Sequence, residues 1–122
     1  MLDYTVYKLI HFIGIFMVYL AFGGLLVNAL VGGDRQTPGR KVSAITHGVG
    51  LFLVLLGGFG LLARMAIHWP WPGWIMVKVA IWLIFGGLIA LIARKPGMSK
   101  AVWWLTLVLG IVAAYMAINK PF

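Results

Sequence analysis

HFIGIFMVYLAFGGLL, residues 11–26, and HGVGLFLVLLGGFGLLAR, residues 47–64, decide the fold. Each opens on a histidine and continues as an apolar, glycine-bearing run long enough to cross a bilayer. A span needs about 20 apolar residues, and in hydrocarbon a run of that length satisfies its own amides as a helix. Two more such runs follow, giving spans at Thr5–Val31, Val42–Ile67, Gly73–Ala93 and Ala101–Ile118. The loops GGDRQTPGRK, HWPWPGW and RKPGMSK (32–41, 68–74 and 94–100) carry the turn residues that separate them. Loops this short join antiparallel neighbours. The expected fold is all-α: a single domain over 1–122 with four transmembrane helices in an up-down-up-down bundle.

Composition supports that reading. Of 122 residues 63% are hydrophobic and 10% charged, and the two acids are Asp3 and Asp34; a soluble domain carries about a quarter charged residues. The formal net charge of +8 sits mostly in the short inter-span segments. With no basic amphipathic face or recognition motif, no nucleic acid partner is expected. No cysteine is present, which removes disulfides, thiolate nucleophiles and iron–sulfur ligation. Paired carboxylates, a metalloprotease helix and a phosphate-binding loop are absent too. The first apolar run is too long for a signal-peptide core, lacks a basic flank and is followed by no small-residue cleavage site, so it is expected to stay as a span.

Orientation follows from the cations. Arg35, Arg40, Lys41, Arg94, Lys95 and Lys100 cluster in the first and third loops, against Lys8, Arg64 and Lys120 near the other helix ends. The positive-inside rule puts those loops in the cytoplasm and both termini on the non-cytoplasmic side. Tyr4, Tyr7, Trp69, Trp71 and Trp74 would belt the outer interface, and Trp103 and Trp104 the inner one.

The two opening segments align at an offset of 36, with eight of sixteen positions identical: His11/His47, Gly14/Gly50, Phe16/Phe52, Val18/Val54, Leu20/Leu56 and Gly24-Leu25-Leu26/Gly60-Leu61-Leu62. Consecutive spans run in opposite directions, so the histidines are expected near opposite surfaces, ~20 Å apart. One metal ion cannot take both.

His11 has a candidate partner at its own depth. The third span, GWIMVKVAIWLIFGG (73–87), carries the one lysine buried in a span, Lys78. Aligning its Phe85-Gly86-Gly87 with Phe22-Gly23-Gly24 sets Trp74 level with His11 and Lys78 one turn deeper. Intramembrane ionisable residues are functional suspects. For each candidate a plainer reading stands beside the functional one. Lys78 can snorkel to the interface beside Trp74. His11 and His47 can each bridge helices by a hydrogen bond. His68 can be an ordinary loop residue. If His11 and Lys78 share a site, imidazole and a neutral amine would be axial ligands of a haem iron. Gly14 and the glycines of the second span would then leave room for the macrocycle, against a plainer reading of close helix packing.

YKLIHFIGI (7–15) and GWIMVKVAIWLIFGG resemble the small four-helix membrane proteins grouped around SirB, HemJ and CopD, and the SirB pattern is the nearest. The resemblance spans nearly the whole chain and matches His11, His47, Trp74, Lys78 and the Ala117–Pro121 ending. The HemJ branch implies haem b held by a first-helix histidine and a third-helix lysine, here His11 and Lys78, and oxidation of protoporphyrinogen. A bacterial inner-membrane location is implied as well. This chain is shorter and lacks the other polar residues of that branch. Two alternatives stay open: a cofactor-free accessory or packing subunit, in a homo-oligomer or a larger membrane complex, and a small permease.

Overall fold

The computed structural model describes residues 2–122, which hold four α-helices: α1 (Tyr4–Leu30), α2 (Arg40–Arg64), α3 (Gly73–Arg94) and α4 (Ser99–Asn119). A 3-10 turn, Pro96–Met98, leads into α4, and no strand occurs among the described residues. Gly32 and Gly39 bracket the first loop with φ of +78° and +87°. Both lie in the left-handed region that glycine enters without a steric cost, so the chain can leave α1 and re-enter α2 within nine residues. Pro72 precedes α3 and Pro96 precedes α4, each where no helical amide is needed.

Consecutive helices are antiparallel. His11 and Tyr7, early in α1, meet Gly57 and Gly60, late in α2, whereas Gly24 meets Ser43 at the other end. Between α2 and α3, His47 pairs with Phe85 and Leu51 with Trp82. Between α3 and α4, Trp74 pairs with Phe122 and Lys120. The up-down-up-down order is therefore observed.

The four helices do not contribute equally. α1 is the most buried and touches each of the others, while α4 is the least buried and leaves α2 untouched. The apolar core is built by Val18, Phe22 and Leu26 of α1, Ile81, Phe85, Leu88 and Ile92 of α3, and Val102 of α4. It lies in the half of the bundle nearer the first and third loops. Outside the core, large apolar side chains stand in the open on every helix: Phe16 is 71% exposed, Leu20 75%, Phe52 60%, Leu83 62% and Ile111 62%. Water would not tolerate such a continuous apolar surface. With four helices of 21 to 27 residues, each long and apolar enough to span, the protein is an integral membrane protein whose outer surface suits lipid.

The α1–α2 seam is unusually close, and it carries the internal repeat. A side-chain carbon at Gly14 would stand 2.7 Å from the Gly50 carbonyl oxygen and 2.6 Å from the Val54 nitrogen. One at Gly50 would stand 2.9 Å from the Gly14 oxygen and 2.9 Å from the Val18 nitrogen. Each contact is the other's counterpart at the offset of 36. The hairpin thus has a local two-fold axis between Gly14 and Gly50, where the two backbones touch directly. Gly57 continues the seam against the His11 backbone, and Gly60 takes the face of the Tyr7 ring. This is the small-residue packing by which membrane helices gain van der Waals contact.

Candidate functional site

His11 is 8% exposed. Its Nδ1 lies 2.8 Å from the Val54 carbonyl oxygen across the seam. A carbonyl only accepts, so Nδ1 carries the proton and donates, and the lone pair is on Nε2. The bond is made at the point where Val54 reaches α1 opposite Gly14, and the absence of a side chain at Gly57 brings the His11 backbone against α2. The seam therefore fixes both the tautomer and the orientation of the ring. A backbone carbonyl on the distal nitrogen is also the usual support of a ligating histidine.

Lys78 stands on the same level. His11 faces Gly57, six residues beyond Leu51 on α2, and Leu51 pairs with Trp82. Six residues back along the antiparallel α3 lead to the turn Ile75–Lys78. None of the side-chain hydrogen bonds among the described residues involves Lys78. Lys120 caps the end of α4 beside Trp74. Its Nζ lies 5.3 Å from the centre of the Trp74 ring and 2.9 Å from the Ala117 carbonyl oxygen. The Trp74 amide donates to the Phe122 backbone oxygen at 3.1 Å, and the Phe122 ring covers Gly73. Residues 120–122 thus close the terminal side of the site against the start of α3.

The other candidates are used differently. His47 is 2% exposed and its Nε2 donates to the Phe85 carbonyl at 3.1 Å, with the ring edge-on to Phe22 at 4.9 Å. It is a bridge between α2 and α3. From Gly57 to His47 is ten residues of α2, about 15 Å, so the two histidines are far apart, somewhat less than the offset alone gives. His68 is exposed and lines an open depression of about 440 Å3 with Phe59, Trp69 and Trp71. Among the described residues no group of three His, Cys, Asp or Glu side chains comes together.

One expectation is corrected. Gly14, assigned to a cofactor pocket from the sequence, opens no space: α2 backbone and the Val54 side chain fill its face. Gly50, Gly57 and Gly60 are occupied in the same way by α1. Gly58 is different, since a carbon there would lie 3.6 Å from the His11 ring in ordinary contact. A flat macrocycle therefore has no place between α1 and α2.

Among the described residues the His11 Nε2 and the Lys78 amine take part in no hydrogen bond, so an imidazole and an amine stand near one level as possible donors to a cofactor. Below them Val18, Phe22, Ile81 and Phe85 close the α1–α3 interface, so any ligand is confined to the terminal half. What sequence reasoning missed is the Val54 carbonyl, whose role has no side-chain signal, and the position of Lys120 over Trp74. No protein-family model, no curated protein and no solved structure matches the chain.

Proposed function

We propose that this integral membrane protein binds haem b, with His11 and Lys78 as the residues that would hold it, and serves a redox role in a bacterial inner membrane. The observation that carries the reading is the His11 ring, held through Nδ1 by the Val54 carbonyl with no hydrogen bond on Nε2 among the described residues, near the level of Lys78. Haem would supply one-electron chemistry at the iron. The chain would hold the imidazole in one tautomer, keep the amine near it, and exclude water with Trp74 and the Lys120–Phe122 turn. The resemblance to the HemJ branch supports tetrapyrrole oxidation as the reaction. The distribution of cations supports placing the first and third loops in the cytoplasm and both termini outside.

The test is the absorption spectrum of the purified protein, oxidised and after dithionite. A Soret band with visible bands that sharpen on reduction is expected, and His11→Ala should bleach it. Lys78→Met should keep colour but change the ligand field, seen as a shifted Soret maximum. A flat spectrum from haem-replete cells refutes the reading. It would favour the cofactor-free alternative, a packing subunit in an oligomer or larger complex. The backbone-to-backbone seam of α1 and α2 is the observation on that side.

A further inference from the structure

The opposite end of the bundle holds a second built cavity. About 190 Å3 in volume, it lies between the last turns of α1 and α3, under the first loop. Leu25 and Ile92 form an apolar floor, and Arg35 and Arg40 line it from the loop side, with Asn28 and Asp34 between. Asn28 is engaged through its amide nitrogen and Asp34 through one carboxylate oxygen, while the buried Asn28 Oδ1 has no hydrogen-bond partner among the described residues. Asn28 Nδ2 donates to the Asp34 carbonyl at 3.3 Å, and its Oδ1 is buried against Gly33. Asp34 Oδ1 accepts the Gln36 amide at 2.8 Å. Neither guanidinium takes part in a side-chain hydrogen bond among the described residues.

The depth of the cavity matters. α1 has 27 residues and is therefore about 40 Å long, which exceeds the ~30 Å hydrocarbon layer and reaches into the headgroups. Leu25–Ala29 stand where hydrocarbon gives way to headgroups. An apolar floor below two free guanidinium groups at that depth matches an amphiphile with a phosphate, because arginine binds phosphate by two parallel N–H donors. Basic pockets between spans are a known seat for acidic lipid headgroups.

The geometry points to a specific site for the phosphate of an anionic phospholipid, held by Arg35 and Arg40, with its first carbons over Leu25 and Ile92. This site is independent of any cofactor at His11. Arg94, Lys95, Lys41 and Lys100 add a diffuse positive field at the same face but do not line the cavity.

The experiment uses the full chain in mixed micelles of dodecylmaltoside and phosphatidylcholine, titrated with phosphatidylglycerol, with bound lipid counted by native mass spectrometry. Arg35→Gln/Arg40→Gln should weaken phosphatidylglycerol retention about tenfold or more, and the exposed single variant Arg35→Gln should move the same way. Lys41→Gln/Lys100→Gln removes the same charge away from the cavity and should change retention by less than about threefold. Equal losses in the two double variants would overturn the site in favour of diffuse attraction. Displacement of the lipid by millimolar inorganic phosphate would overturn the lipid as occupant.

Discussion

Gly57→Ala adds one carbon at the tightest backbone contact of the α1–α2 seam. That carbon would stand 2.5 Å from the His11 nitrogen, 2.7 Å from its Cα and 2.8 Å from its Cβ. Carbon contacts settle near 3.5 Å or more, and all three atoms are fixed by the α1 helix. No side-chain rotation relieves the clash, so the helices must part locally by about 1 Å. Overpacking of this kind costs about 1–3 kcal/mol. The same displacement stretches the 2.8 Å bond from His11 to the Val54 carbonyl beyond hydrogen-bonding range, a further loss of about 1 kcal/mol in a membrane. Alanine's advantage over glycine in a helix, about 1 kcal/mol in water, opposes these terms. The net expectation is a destabilisation of about 1–3 kcal/mol. Gly23→Ala is the control, because nothing lies within 4 Å of a carbon placed there; it should be neutral or slightly stabilising. Both variants would be unfolded in mixed micelles titrated with dodecyl sulfate, followed by tryptophan fluorescence and far-ultraviolet dichroism. If Gly57→Ala proves as stable as Gly23→Ala, the helices are not in backbone contact and the account of the seam is wrong.

Three other expectations follow from single contacts. Tyr19→Phe removes the hydroxyl that donates to the Thr106 carbonyl at 2.6 Å; it should cost about 1 kcal/mol and raise hydrogen exchange chiefly in the sparsely buried α4. His47→Leu loses the bond to Phe85 and the edge contact with Phe22; about 1–2 kcal/mol should disappear in the same titration, with no change in any visible absorption, unlike His11→Ala. Since the chain has no cysteine, Thr37→Cys and His68→Cys report sidedness cleanly. A membrane-impermeant maleimide applied to spheroplasts should label the second variant and spare the first, and the reverse pattern would refute the proposed orientation.

How much of this was legible in the sequence varies by level. The spans were, because lipid leaves an apolar run of that length only the helix as a solution. Their ends move by up to three residues, as at Val42 against the observed Arg40, where basic residues continue the helix into the headgroups, and at Ile67 against Arg64, where Ala66 at φ +57° turns the chain out of the helix. The packing faces were not legible. With nearly every side chain apolar, no stripe marks the inside, and the central position of α1 and the marginal one of α4 have no signal in composition. The glycines recorded the α1–α2 contact by their recurrence, yet the same glycines were open to a cofactor reading until the opposing backbone was in place.

The two histidines show where symmetry of sequence parts from symmetry of chemistry. At the offset of 36, His11 matches His47 and Val54 matches Val18, so the bond from His11 to the Val54 carbonyl has a formal counterpart from His47 to Val18. His47 does not make it. Its Nε2 reaches out of the hairpin to the Phe85 carbonyl instead. The difference lies in what α3 presents at each level. Near the first and third loops α3 meets the hairpin with the Phe85 carbonyl and a packed aromatic cluster of Phe22 and Phe85, 5.4 Å apart. At the other end it brings a lysine, which has no acceptor to offer. One imidazole is thereby engaged through Nε2 and closed in by the core. The other is anchored through Nδ1 and makes no hydrogen bond through Nε2 among the described residues. An inverted repeat of a structural histidine thus becomes one bridge and one candidate ligand, through the asymmetric packing of a third helix and without any change in the hairpin itself.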